Sequence, residues 1–213
     1  MGRVLKTPHY FWYNIIAEFE KQYSYRRSKM KYSREKLSST YSAEDFVFFW
    51  GHTPAKSGEI TQSCLSQWWK CDFTEGGINF CCAEQYMMYR KALLFEDHEH
   101  ADDILKTKDP KTIKALGRLV SNFDDKVWNE HKSEIVLQGN ICKFSQNPEL
   151  KAYLIGTGDR ILVEASPYDR VWGIGMRAGS AGICAPQKWK GQNLLGFLLM
   201  EVRNIIRSDF HDK

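Results

Sequence analysis

Apolar positions in this chain fall in short blocks between polar turns, and two periods can be read from them. Phe46-Val47-Phe48-Phe49-Trp50 is an unbroken apolar run stopped by Gly51, which predicts a buried strand. Ile78-Asn79-Phe80-Cys81, after Gly76-Gly77, predicts a second short strand, and Ile161-Leu162-Val163-Glu164-Ala165 a third. Elsewhere the helical period dominates. Residues 83–95 carry apolar side chains nearly all round, which predicts a central helix. Asp109-Pro110 joins an N-cap residue to proline at the first helical position and opens a helix to about Gly117. A longer helix is expected over 125–144, with Gly139 as its weak point. Another opens at Asn147-Pro148 and closes at Gly156. Leu195, Leu198, Leu199, Val202, Ile205 and Ile206 form one apolar stripe of a last helix, for which Asn193 is the expected N-cap. The pattern describes a helix-rich α+β domain with a few short strands.

The first forty-odd residues follow another rule. Tyr10, Phe11, Trp12, Tyr13, Phe19, Tyr23 and Tyr25 are too apolar for a free tail, so a helix over about 8–23 is expected to dock on the main domain. Residues 26–43 are charged and Ser-rich and read as a linker. The expected division is therefore a basic, aromatic, helical extension over 1–44 and a single domain over 45–213. Charge sharpens this division. Residues 1–40 hold nine Lys or Arg against three Glu, a surplus of six, whereas the rest holds 21 basic and 23 acidic residues, net −2. The overall +4 thus belongs to the extension. Arg26, Arg27, Lys29 and Lys31 form either a tether for nucleic acid or a solvated tail.

Composition removes several classes. Hydrophobic residues make up 43% of the 213 and aromatics 14%, enough for a packed core. No run of about 18 apolar residues exists and the first residues lack a secretory pattern, so an intracellular protein, cytoplasmic or nuclear, is expected. The six cysteines form no Cys-x-x-Cys pair and read as buried free thiols. Glu96-Asp97-His98-Glu99-His100 reads as a charged helix start rather than a metal site. Neither metal nor cofactor is expected.

Four places offer chemistry. On the helix 83–95, Glu84 and Lys91 are seven residues apart, about 20° from alignment at roughly 100° per residue, so they share a face two turns apart. A carboxylate and an amine on a mostly buried helix are costly unless paired or used. The plainer alternative is an acid favoured by the helix start and a lysine reaching out to water. Secondly, Pro167, Gly173 and Gly175 bend the chain after the third strand. Asp169 and Trp172 can thereby stand at the rim of a cleft, or Asp169 can serve as a turn residue bonded to its own backbone. Thirdly, Trp189-Lys190-Gly191-Gln192-Asn193 places backbone N–H groups at a helix start, where an anion could sit. Lastly, Arg118 could grip a phosphate or pair with a surface acid.

Taken in order, these pieces resemble the long form of the NADAR (YbiA-like) family. The matching stretches are Phe48-Phe49-Trp50-Gly51-His52, Leu65-Ser66-Gln67-Trp68, Ala83 to Ala92, Leu116-Gly117-Arg118, Trp128, Lys143 to Asn147, Leu162 to Gly175 and Trp189 to Gly196, covering about 45–207. One departure is visible: many members have Ser-Asn-Phe where this chain has Ser66-Gln67-Trp68. The resemblance implies a YbiA-like domain that hydrolyses an N-glycosidic bond. The substrates it implies are ADP-ribose on guanine, in DNA or as a nucleotide, or ribosylated intermediates of riboflavin synthesis. It implies catalytic roles for Glu84, Lys91 and Asp169, and substrate contacts for Trp50, Gly51, Ser66, Arg118, Trp128, Trp172, Gly173 and Asn193. A binding module for ADP-ribose or NAD, without turnover, is the reading from another class. The presence of Glu84, Lys91 and Asp169 together favours an enzyme.

The chemistry is coherent. Breaking a ribose C1–N bond develops positive charge at the sugar, which a carboxylate stabilises or relieves by activating water. Lysine can neutralise that carboxylate, bind phosphate, or attack C1 of the opened sugar as an amine, and sequence alone does not choose among these.

Overall fold

The computed structural model describes residues 31–38 and 41–208. The aromatic segment expected to be helical over 8–23, and Arg26, Arg27 and Lys29, lie outside the described residues. The main compact unit begins at Tyr32. Residues 32–38, expected to be linker, therefore belong to it: Arg34 donates to the carbonyl of Trp189 (3.2 Å), and Gln187 donates to that of Ser38 (3.2 Å).

Strand β1 (Phe46–Phe49) pairs in parallel with β4 (Ile161–Glu164), with Phe49 opposite Glu164. Strands β2 (Phe73–Glu75) and β3 (Ile78–Phe80) form a separate antiparallel hairpin. Around these stand α1 (Ala83–Leu94), α2 (His98–Lys106), α3 (Pro110–Leu119), α4 (Asp125–Gln146), α5 (Pro148–Gly156) and α6 (Leu194–Ser208). The fold is the helix-rich α+β arrangement that the pattern predicts. Helix starts follow the capping rule: Asp97, Asp109 and Asp124 each accept a backbone N–H of the first turn of α2, α3 and α4. Among the described residues no helix is long and apolar enough to cross a membrane.

Helix α1 is the central element and packs against α2, α3 and α4. Its residues Ala83–Tyr89 are all buried. Helix α4 crosses it without a break at Gly139, contrary to the expected weak point. A Cβ there would stand 2.5 Å from the ring of Tyr86, so the glycine serves close packing of α4 on α1.

A buried polar clamp fixes the segment that precedes β2. Lys143 of α4, fully buried, donates to the carbonyls of Cys64 (2.7 Å) and Ser66 (2.8 Å), and Asn140 donates to the Gln67 side chain (2.9 Å). These bonds hold residues 64–67 against α4, and with them Trp68 at the edge of the site.

Candidate functional site

Three carboxyl groups converge from three parts of the fold. Glu84 is the second residue of α1, Glu164 is the last of β4, and Asp169 lies in the loop after β4. Trp50 and Gly51 leave β1 at the same carboxyl edge of the parallel pair, the usual place for ligands beside parallel strands.

Glu84 is 3% exposed, and its Oε1 has no hydrogen-bond partner among the described residues. Burial pushes its carboxyl up to about 7; Lys114, hydrogen bonding from Trp68, and Arg118 oppose that rise, whereas Asp169 adds to it. Removal from water therefore outweighs the favourable helix start. Glu164 is pushed higher, to about 8, by burial, then by Asp169 and Glu84, against the pull of Lys114. Its Oε2 is likewise buried without a partner among the described residues. Two acidic side chains thus keep part of their polar surface out of water and unsatisfied, which a purely structural acid seldom does.

The backbone of Glu164 is held firmly. Its N–H donates to the side chain of Asn193 (3.0 Å), and its carbonyl accepts from Ile174 (3.0 Å). Ala165 donates to Phe49 next door (2.9 Å). Gly173 permits this: a Cβ there would meet the Glu164 carbonyl at 2.7 Å.

Asp169 unites the two readings offered by sequence. Its Oδ1 accepts from Val171 (2.9 Å) and Trp172 (2.7 Å), making it a turn residue, and its charge still acts on both Glu84 and Glu164. Trp172, half-buried, is carried by that turn. Trp50 is 52% exposed and Tyr168 81%, with ring centroids 6.3 Å apart, an aromatic pair open to solvent at the rim.

The remaining expected residues separate into two groups. Lys91 donates to the Gly117 carbonyl (2.7 Å) and stands 4.1 Å from the Phe123 ring centroid and 5.8 Å from that of Trp128. Burial lowers its pKa, with Asp125 opposing. The cations acting on Glu84 are Lys114 and Arg118 of α3, one turn apart, in place of the Lys91 that helical spacing offered. Lys132 of α4 donates to the Asn129 side chain, and burial lowers its pKa against the opposing charges of Asp125 and then Asp169. Ser66 accepts from the Trp68 N–H (3.1 Å). Asn193 is fully buried and both its amide atoms bind β4: Oδ1 accepts from Glu164, and Nδ2 donates to Leu162 (2.9 Å). It occupies the position before α6 as expected, but its side chain braces the strand instead of capping the helix.

Sequence reasoning missed Glu164 and Lys114 as candidate site residues. The signal for Glu164 was an acid closing an otherwise apolar strand. For Lys114 it was the four-residue spacing to Arg118 on one helix face.

The NADAR domain model matches residues 48–207. The chain belongs to the NADAR domain family. It is similar to N-glycosidase R617 of Acanthamoeba polyphaga mimivirus, 44% identical over 165 residues that span 75% of this chain and 95% of that protein. It is also similar to the chloroplastic riboflavin biosynthesis protein PYRR of Arabidopsis thaliana, 42% identical over 93 residues, 44% of this chain and 13% of that protein. The NMR structure of the E. coli protein YbiA has the same fold, with a TM-score of 0.65 at 23% identity, covering 82% of this chain and 92% of that one.

Trp68, where many NADAR members carry phenylalanine, stands against Glu84, Lys114 and His52. The Lys114 ammonium is 5.7 Å from its ring centroid and the His52 ring 5.4 Å away. Its hydrogen bonding favours the ionised form of Glu84. Trp68→Phe keeps the ring face and loses the donor, so the carboxyl pKa rises. The acid limb of the kcat/KM profile is expected to move to higher pH, by up to about one unit, or about 1.4 kcal/mol. An unmoved limb would separate Trp68 from Glu84 ionisation.

Proposed function

We propose that this NADAR protein is an N-glycosidase that hydrolyses the bond between ribose C1 and a base nitrogen, and that its substrate is ADP-ribosylated guanine in DNA or as a nucleotide. The observation that carries the reading is Glu84: a buried carboxyl with an unpartnered oxygen, beside two further acids and the cations Lys114 and Arg118. Such a group is placed to meet the positive charge that develops at C1, or to take a proton from the attacking water. Lys114 and Arg118 offer charges for phosphate, and the exposed Trp50–Tyr168 pair offers faces for a base. The mimivirus relative's name, N-glycosidase, points the same way.

A second reading keeps the bond and changes the base: a ribosylaminopyrimidine phosphate of riboflavin synthesis. The relative named as a riboflavin biosynthesis protein favours it. A module that holds ADP-ribose or NAD without turnover would give the unpartnered carboxyl oxygens of Glu84 and Glu164 no task. For the nucleic-acid substrate, Arg26, Arg27, Lys29 and Lys31 would add phosphate contacts. Rates on an ADP-ribosylated single-stranded oligonucleotide, on ADP-ribosylated guanosine nucleotide and on the ribosylaminopyrimidine phosphate decide between the readings. A kcat/KM at least about tenfold higher on a guanine substrate is expected, about 1.4 kcal/mol of discrimination. The reverse preference would transfer the assignment to the pyrimidine.

A further inference from the structure

We propose that Glu164 is a second catalytic carboxyl, the proton donor to the leaving base, and that Glu84 is the carboxylate that works on the sugar side of the same bond. The inference rests on the N-glycosidase reading and divides the labour within it.

The two acids are set apart by their neighbours. Glu84, at the start of α1, faces Lys114 and Arg118 from α3 and hydrogen bonding from Trp68, with Asp169 the opposing charge. Glu164, at the end of β4, has Lys114 as its favourable charge and both Asp169 and Glu84 as unfavourable ones. Lys132 of α4 donates to the Asn129 side chain, and its charge acts on Asp125 first and Asp169 second. The amide of Asn193, the other side chain bonded to Glu164, is held by its backbone N–H and leaves the carboxyl untouched. The pair therefore loses its first proton from Glu84, and the resulting charge helps Glu164 keep its own. Burial raises both carboxyls, and Asp169 opposes the ionisation of each. Two acids whose surroundings push their ionisation apart are the usual arrangement for dividing base and acid work.

Geometry adds to this. Glu164 is anchored through N–H, carbonyl and the Ala165–Phe49 bond, and its unpartnered Oε2 is an atom with no structural use. In the reaction, the C1–N bond breaks and its electron pair passes to the base nitrogen, which takes the proton from the Glu164 carboxyl. Water adds its oxygen to C1 and gives one proton to the Glu84 carboxylate. The products are the neutral base and the free sugar. Transfer of that proton from Glu84 to Glu164 restores the starting state, and the sum is one water consumed.

The test compares leaving groups in the full chain. One substrate carries the amine-linked base, which departs only when protonated; the other carries 4-nitrophenolate on the same sugar, which departs as an anion. Glu164→Gln should lose about 10²–10⁴-fold in kcat on the first, the usual worth of general acid catalysis, and stay near the wild-type rate on the second. The alkaline limb of the pH profile on the amine-linked substrate should vanish in this variant. In infrared spectra, the protonated carboxyl band left in Glu84→Gln should persist to higher pH than the one left in Glu164→Gln. Equal losses on both substrates, or a band in Glu164→Gln that persists to the higher pH of the two, would overturn the donor role while leaving the glycosidase reading intact. A wild type silent on both sugars would overturn that reading and the donor role together.

Discussion

Glu84→Gln is expected to abolish turnover while the protein remains folded. Glutamine keeps the shape of the side chain and removes its charge, so the 3% exposed site fills as before. The reaction loses the carboxylate that meets the developing positive charge. Electrostatic groups of this kind are worth about 10²–10³-fold or more in kcat. A variant retaining more than about a tenth of the wild-type rate, a loss below about 1.4 kcal/mol, would remove Glu84 from the chemistry. Stability should move the other way. Because the folded pKa lies above the ordinary carboxyl value of 4.5, ionisation penalises the native state progressively as pH rises from there through about 7. Glutamine carries no such penalty, so at pH 8 the variant should melt no lower than the wild type.

Asn193→Ala is expected to give the largest loss of stability among the site positions. Two buried bonds to β4 disappear, leaving the Leu162 carbonyl and the Glu164 N–H without partners, at about 1–3 kcal/mol each. Asn193 also has φ 55°, a left-handed conformation that asparagine tolerates and alanine resists by about 1–2 kcal/mol. A loss of about 3 kcal/mol or more follows, which for a domain of this size lowers Tm by about 6–12 °C. Asn193→Gly relieves the backbone but not the lost bonds, so it should fall between the two. Activity should decline with stability, since Asn193 fixes the strand end that bears Glu164. An unchanged Tm with a raised KM would instead give Asn193 the substrate contact that the family resemblance implies.

The elements of the fold were largely legible because each carried its own local signal. Aspartates cap α2, α3 and α4, proline opens α3 and α5, and β1 is an apolar run closed by glycine. The parallel pairing of β1 with β4 was not legible, since more than a hundred residues separate them and no turn records their register. The hairpin partner Phe73–Glu75 was missed because three residues carry too little period. In the site, helical spacing placed Glu84 and Lys91 on one face but could not say which neighbours each would meet. Packing of α3 brought Lys114 and Arg118 toward Glu84 and gave Lys91 the Gly117 carbonyl. Gly139 looked like a helix breaker because sequence does not reveal the Tyr86 ring beside it. Glu164 escaped because strand alternation treats a terminal acid as a solvent-facing residue.

The central claim, that the site around Glu84 hydrolyses a base–ribose bond, is tested most directly by the masses of the products. Wild-type protein incubated with ADP-ribosylated guanosine nucleotide should release ADP-ribose and the guanosine nucleotide, or, incubated separately with the ribosylaminopyrimidine phosphate, the free aminopyrimidine and ribose phosphate; turnover of at least one is expected. In either case the two products account for the substrate plus one water, and Glu84→Gln should release neither. Intact substrate recovered from both incubations, bound tightly by wild type and variant alike, would contradict the account and make the protein a binding module.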